Sequence, residues 1–346
     1  MEVSNLADST KLIIRDNVLA VWSDKGLMTL SSAVFNGGFK NVKAVLNVGV
    51  PEGYNDRSLH LDPIGLITSS AGKLGLTKDY VAMLTAAEIK NYSLVSKKAG
   101  DFSVSVVATA GCSHGESSGE EMNVQEITGT INAIVLIDGN PTESCMVASL
   151  ITATEAKSAA LRDFDVRSLY SGDSATGSIT DSLAVASTKQ GKTIGYGGPA
   201  SKLGKLVGYC ARKAVSEALI KQEPIWAKRT VLDRLKERHL PLKKLAIELS
   251  KVEGLAVDEN NLTKILEKEP LHLAYLLAAV KLDDDCKNNL LATQLRDISQ
   301  ISKCFGNIPR YEQDCSEVPN YNSVDLPPFL KYVLIKIVRD KLSKGN

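Results

Sequence analysis

Twenty-two of the chain's 25 glycines lie before residue 223, and no other sequence feature restricts its folding so strongly. Glycine weakens helices and supplies tight turns, so a glycine-dense stretch broken into short apolar runs favours strands joined by turns. The 124 residues that follow hold three glycines and 38 charged side chains, whereas the first 222 carry 43 charges. Frequent charge with few glycines is what amphipathic helices require. At 346 residues the chain also exceeds the roughly 250 to 300 at which single cores stop growing. Two domains are expected, 1–222 and 223–346.

Runs rich in Val, Ile, Leu and Thr at 11–15, 18–22, 27–33 and 43–48 read as strands. Their close spacing favours antiparallel hairpins, because parallel pairing needs a long crossover. Residues 102–109 alternate, with Phe102, Val104 and Val106 opposite Ser103 and Ser105, as a half-buried strand does; 130–137 is almost wholly apolar, as a central strand is. Thr142 reads as the N-cap of a helix running to Phe164, and a second helix over 201–222 places Leu203, Val207, Cys210 and Ala214 on one stripe. Between them a loop rich in glycine and hydroxyls, 171–182, leads into a strand at 183–187. Beyond Pro224, amphipathic helices are expected, with breaks at Pro241, Gly254, Pro270 and 307–324. The segment 271–282 reads as the most buried of them, and 329–342 closes the chain. The fold class expected is α+β: a mixed, largely antiparallel sheet packed with helices, followed by an all-α C-terminal domain.

Several functions are excluded by inspection. With 41 basic and 40 acidic side chains the net charge is +1, so binding to nucleic acid by neutralising phosphates is not expected. Six scattered cysteines without C-x-x-C point to a reducing cytoplasm. An acidic 1–8 and the lack of any run of ~18 apolar residues argue against export and membrane spanning. Gly204-Lys205 comes closest to a phosphate-cradling loop, but Pro199 replaces its first glycine and Leu206 its hydroxyl. His60, His114, His239 and His272 lie far apart with no H-E-x-x-H, so no protein-held metal is expected. Cys112-Ser113-His114 invites a nucleophile-and-base reading. Sequence neighbours point apart, however, and a turn bent at Gly111 and Gly115 is the expectation.

What remains is a repeated pattern of small-residue turns at strand ends: Phe35-Asn36-Gly37-Gly38, Thr109-Ala110-Gly111, Gly129-Thr130-Ile131-Asn132 and the stretch 175–181. Glycine lets backbone approach a ligand, and Asn, Thr, Ser and Asp offer donors and acceptors; singly, each is also ordinary turn chemistry. Thr152, Glu155 and Arg162 share a helix face, while Lys157 points roughly the other way. Because Ala153, Ala156, Ala159 and Ala160 flank Glu155, its carboxylate can sit at a pocket floor. A solvated ion-pairing face is the bland alternative.

In order along the chain, Leu30-Ser31-Ser32-Ala33 with Phe35-Asn36-Gly37-Gly38, Val45-Leu46-Asn47 with Val50-Pro51, Met83-Leu84-Thr85-Ala86-Ala87, Ala108-Thr109-Ala110-Gly111, Gly129-Thr130-Ile131-Asn132, Thr152-Ala153-Thr154-Glu155-Ala156-Lys157 and Ala175-Thr176-Gly177-Ser178-Ile179-Thr180-Asp181-Ser182 together resemble the CbiZ family. These are the adenosylcobinamide amidohydrolases of archaeal and some bacterial corrinoid salvage. The likeness covers roughly 12–222 and stops before the helical tail. It departs at His114, where the family usually has asparagine, and at Ser178 and Ile179, where threonine and glycine are usual.

The resemblance implies hydrolysis of the amide joining a corrin propionyl side chain to aminopropanol, giving adenosylcobyric acid and 1-amino-2-propanol in cobinamide salvage for cobalamin. Cobalt arrives inside the corrinoid substrate, and no separate cofactor is implied. Asp181 or Glu155 is expected to activate water or a hydroxyl, with Thr180 in the catalytic set. Asn36, Gly37, Gly38, Asn47, Thr85, Thr109, Gly111, Ser113, Thr130, Asn132, Thr176, Gly177 and Ser178 are expected to bind substrate. A Ser/Thr nucleophile and direct attack by water stay open, as does a non-catalytic corrinoid carrier or sensor. The expected setting is cytoplasmic, with no nucleic-acid or membrane partner, and assembly into a homo-oligomer stays open.

Overall fold

The computed structural model describes residues 2–51, 62–113, 115–121, 129–291 and 323–343. His60, His114 and nearly all of the expected break at 307–324 lie outside the described residues. Internal contacts divide the chain into two compact units, Met1–Lys228 and Arg229–Asn346.

In the first unit, β1 (Glu2–Ala7), β2 (Thr10–Arg15), β3 (Val18–Ser31), β4 (Gly38–Gly49), β5 (Tyr80–Thr85), β6 (Ser93–Ala99), β7 (Phe102–Gly111), β8 (Thr130–Asp138) and β10 (Ser182–Ser187) form one sheet. β9 (Asn140–Pro141) and β11 (Thr193–Ile194) make a small parallel pair beside it. The sheet runs β1-β2-β3-β10-β8-β7-β6, and β4 lies along the other side of β3 with β5 beyond it. β4 with β5 and β8 with β10 are parallel, and the other pairs of this sheet are antiparallel. This is the mixed, largely antiparallel sheet expected.

The runs expected as separate strands at 18–22 and 27–33 are one element, β3. Its register against β4 shifts between Trp22 and Leu27, and Gly26 takes a positive φ of 83° within the irregularity. Ser23-Asp24-Lys25-Gly26 therefore reads like a hairpin turn but acts as a bulge, because β4 pairs with β3 on both sides of it. The length of β3 matters: its first half pairs with β2 and its last residues with β10, so the sheet forks and curls.

Alternation sorts the side chains between faces. In β8, Ile131, Ala133, Val135 and Ile137 pack toward α2 (Glu143–Asp163) and α3 (Lys202–Gln222). Ile134 and Leu136, with Val107 of β7 and Ala184 and Ala186 of β10, meet Val45, Val81 and Met83 of β4 and β5 inside the curl. On the far face of β4 and β5, Ala44, Leu46 and Ala82 pack on Ile67 and Ala71 of α1 (Pro63–Lys73). β8 is buried on both faces, which explains its near-continuous apolar run. The expected helix starts hold: Thr142 accepts the Cys145 N–H at 3.2 Å and Ser201 the Gly204 N–H at 2.9 Å.

The second unit is helical in its described residues: α4 (Val231–Glu237), α5 (Leu242–Leu249), α6 (Glu259–Glu267), α7 (Pro270–Lys287) and α8 (Pro328–Ser343) share a core built from Leu245, Leu262, Leu276, Leu330 and Val338. Asp283 of α7 accepts the Phe329 and Leu330 N–H groups of the first turn of α8, each at 2.9 Å. Burial pushes its carboxyl from 3.8 up to about 6, against the pull of those two donors. A carboxyl whose folded pKa lies above its unfolded one binds protons more tightly when folded, so its contribution falls as pH rises between the two values. The displacement is worth roughly 3 kcal/mol at most. Hydrogen-exchange protection of α8, corrected for intrinsic rates, is expected to decline from pH 4 to 7 relative to the same profile in Asp283→Asn. Parallel profiles would contradict this.

Candidate active site

The register of the sheet gathers the small-residue turns at one end. Gly111 at the end of β7 pairs with Thr130 at the start of β8, Asn132 of β8 with Ser182 at the start of β10, and Gly49 at the end of β4 with Thr85 at the end of β5. Since β8 and β10 are parallel, the segments leading into them, Gly129 and 176–181, arrive side by side. Interior-facing positions at this end are polar where further along they are apolar.

The centre of the cluster is Asp181. One carboxylate oxygen accepts the Ile131 N–H at 3.0 Å and the Ser178 hydroxyl; the other accepts the Ser178 N–H at 3.1 Å and the Lys157 ammonium of α2. The side chains of Lys157 and Asp181 are 9% and 13% exposed, so this ion pair is largely removed from water. Four donors fill the carboxylate, and Ser178 is the one hydroxyl among them. Among the described residues Asp181 is the hydrogen-bond acceptor of Lys157, which leaves two of an ammonium's three donors for another oxygen. Gly177 is required here: a Cβ would stand 2.5 Å from Asp181 Oδ2 and 2.8 Å from Lys157 Nζ. Thr130 and Thr180 share a hydrogen bond at 2.8 Å, and the Thr180 hydroxyl donates to Gly129 O at 3.0 Å.

Behind this cluster lies a second, fully buried network. Asn132 donates to Asn47 Oδ1 at 2.8 Å and to the Leu84 carbonyl at 2.7 Å, and its own oxygen accepts the Ser182 N–H at 3.0 Å. Asn47 donates to Thr109 Oγ1 at 2.9 Å, and the Thr85 hydroxyl receives the Ala87 N–H at 3.1 Å. These four side chains, expected as substrate contacts, are 0 to 3% exposed and partner one another and the backbone. They join β4 and β5 to β7 and β8 across the curl.

The other expected residues divide between turns and site. Asn36 adopts a positive φ of 54° and donates to the Tyr80 carbonyl at 3.1 Å, with Gly37 and Gly38 completing the entry to β4. Thr176 accepts the Ser118 N–H at 2.9 Å, tying the 115–121 segment to the loop that carries Asp181. Ser113, two residues past Gly111, bonds to Glu223. Cys112 is 0% exposed with its sulfur toward the Gly177 carbonyl. Burial foremost, then the charges of Asp181 and Glu223, pushes its thiol well above the ordinary range, so it supplies no thiolate.

Glu155 is not brought to Asp181. It is exposed on the opposite face of α2, in a shallow groove of about 550 Å³ shared with Arg162, Tyr209 and Arg212. Two helical positions are about 200° apart, so only one of Glu155 and Lys157 can face the sheet. Lys157 does. The sign in the sequence was its setting among Ala153, Ala156 and Ala160, all buried beside it. Among the described residues no group of three or more His, Cys, Asp or Glu is placed to hold a metal ion.

Residues 3–226 match the family profile described as CbiZ, adenosylcobinamide amidohydrolase. An adenosylcobinamide amidohydrolase of Methanosarcina mazei is 29% identical over 213 residues, which are 60% of this chain and 92% of that protein. An uncharacterized protein of Methanocaldococcus jannaschii is also 29% identical, over 209 residues covering 54% of this chain and 81% of that one. Among solved structures, the PH0078 protein of Pyrococcus horikoshii aligns over 62% of this chain and 82% of its own at 11% identity, with a TM-score of 0.32.

Proposed function

We propose, since this chain belongs to the CbiZ family of adenosylcobinamide amidohydrolases, that it hydrolyses the amide between the corrin propionyl group and aminopropanol in adenosylcobinamide. The products are adenosylcobyric acid and 1-amino-2-propanol. The observation that carries this reading is the buried Lys157–Asp181 pair with the Ser178 hydroxyl bonded to its carboxylate, inside the segment that matches the family.

Amide hydrolysis needs a nucleophile, an acceptor for its proton, stabilisation of the developing oxyanion and a proton for the leaving amine. Of the four donors on Asp181, Ser178 alone carries an oxygen able to attack a carbonyl. As Ser178 Oγ attacks, its proton passes to Asp181; the carbonyl oxygen gains charge, which the spare donors of Lys157 can offset. Collapse breaks the C–N bond, with the amine taking the proton from Asp181. Water then attacks the acyl-serine, giving one proton to Asp181 and leaving its oxygen in the carboxylic acid, and the proton returns to Ser178. The sum is one amide and one water converted to one acid and one amine. Cobalt belongs to the substrate and takes no part in this scheme.

Incubation with adenosylcobinamide in water enriched in oxygen-18 is expected to yield free aminopropanol and a corrinoid acid carrying one labelled oxygen. A folded protein that binds the corrinoid and releases no aminopropanol would favour the carrier reading.

A further inference from the structure

Gln222, the last residue of α3, and Glu223, its C-cap, carry side chains that reach back to the strand ends around the site. Gln222 Oε1 accepts the Glu88 N–H at 3.1 Å and the Asn91 amide at 2.9 Å, fixing the connection that leaves Thr85. Glu223 reaches the other connection. Its Oε1 accepts the N–H groups of Cys112 and Ser113, both at 3.1 Å, and the Ser113 hydroxyl at 2.7 Å; its Oε2 accepts Cys112 N–H at 3.3 Å and the Trp226 indole N–H. Two successive backbone N–H groups aimed at one anion form a nest. Here the anion is the chain's own carboxylate, brought from 110 residues away in sequence.

We propose that Glu223 is a positioning residue for the hydrolytic site, an inference that rests on the reaction proposed above. The turn it grips begins one residue past Gly111, whose strand partner is Thr130. Within that turn the Cys112 sulfur lies against the carbonyl of Gly177, and Gly177 backs directly onto the Lys157–Asp181 pair. Displacing the turn moves Cys112, and with Cys112 the wall that keeps Gly177, Ser178 and Asp181 in register. Glu223 itself touches no reacting atom in this scheme. Its carboxylate is needed because both oxygens face donors: a glutamine at 223 would turn an N–H₂ group toward either the nest or the Trp226 indole.

The test uses the full chain carrying Glu223→Gln, with Ser113→Ala as a milder variant that removes one donor from the carboxylate. Two readouts are taken: steady-state aminopropanol release, and alkylation of Cys112 located by peptide mass mapping. Glu223→Gln is expected to lower kcat about 10²-fold with KM within a few-fold, as small misplacement of a reacting group does. Alkylation of the buried Cys112 is expected to accelerate about tenfold or more through local opening. Ser113→Ala should move both in the same direction by less. Unchanged kcat, or unchanged Cys112 alkylation, overturns the proposal, as does a kcat loss matched by global unfolding. If the unaltered protein releases no aminopropanol, the proposed reaction fails on that ground, while Cys112 alkylation still decides whether Glu223 holds the turn.

Discussion

Lys157→Met is expected to destabilise the first unit by about 3–5 kcal/mol and to abolish amide hydrolysis, because it leaves the Asp181 carboxylate buried without its counter-charge. Asp181→Asn should cost a similar amount for the converse reason, an ammonium on a side chain only 9% exposed, left against Gly177 without its counter-charge. The pair as a whole is a weaker stabiliser than either single loss suggests, since desolvation offsets most of the attraction between two buried charges. The double variant Lys157→Met/Asp181→Asn is therefore expected to be more stable than either single one while staying inactive. Both tryptophans, Trp22 and Trp226, lie in the first unit, so denaturant unfolding followed by their fluorescence reports on it. Single variants within 1 kcal/mol of the parent, or a double variant whose loss is the sum of the two, would show that the charges are not energetically coupled.

Asn132→Leu should cost more than any neighbouring polar substitution. Asn132 is 0% exposed and satisfies the Asn47 side-chain oxygen, the Leu84 carbonyl and the Ser182 N–H. Leucine keeps the branching and heavy-atom count and would strand all three groups in the interior, each at about 1–3 kcal/mol, for a total of roughly 3–9 kcal/mol. Thr109→Val is the internal comparison. It keeps the shape and strands the Asn47 amide while freeing Thr85, so about 1–2 kcal/mol is expected. The larger loss should also fall on activity, because Ser182 adjoins Asp181 and its N–H sets where β10 begins. Equal destabilisation by the two substitutions in the same fluorescence assay would mean that Asn132 does not organise the network.

The parts of the fold that local chemistry determines were legible. Thr142 and Ser201 announce α2 and α3 because an N-cap is a local contract between one hydroxyl and an amide three residues on. β8 declares its central place through a continuous apolar run, whereas β7, expected to be half-buried from its alternation, is buried on both faces from Val104 on, with Ser105 only 3% exposed. The bulge at Gly26 was not legible, since the same four residues make either a hairpin turn or an irregularity, and only the length of the opposing β4 decides. The boundary drawn from composition, 222, marks the end of α3, whereas the compact unit extends to Lys228 with Trp226 packed on its core.

At the site, Gly177, Ser178, Thr180, Asp181 and Thr130 stand out as hydroxyl- and glycine-rich turns; the structure bonds Ser178 to Asp181 with Gly177 packed against that pair, and Thr130 to Thr180 in the adjoining segment. Lys157, read only as pointing away from Glu155, and Glu223 were given no role at the site because a lysine or glutamate on a helix usually faces solvent, and their partners lie 24 and 110 residues away. Asn47, Thr85, Thr109 and Asn132 carry the residue types of a binding site and of a buried network alike. Only their mutual placement across the curl separates the two.

Amide hydrolysis through Ser178 is tested most directly by the rate of aminopropanol release from adenosylcobinamide by the parent protein, Ser178→Thr and Ser178→Ala. The alanine removes a hydroxyl and leaves the Lys157–Asp181 pair in place, so tryptophan fluorescence should report a parent-like fold. The expected result is sustained release by the parent, measurable release by Ser178→Thr, and a loss of about 10³-fold or more in Ser178→Ala. Parent-like release by a folded Ser178→Ala would contradict the account.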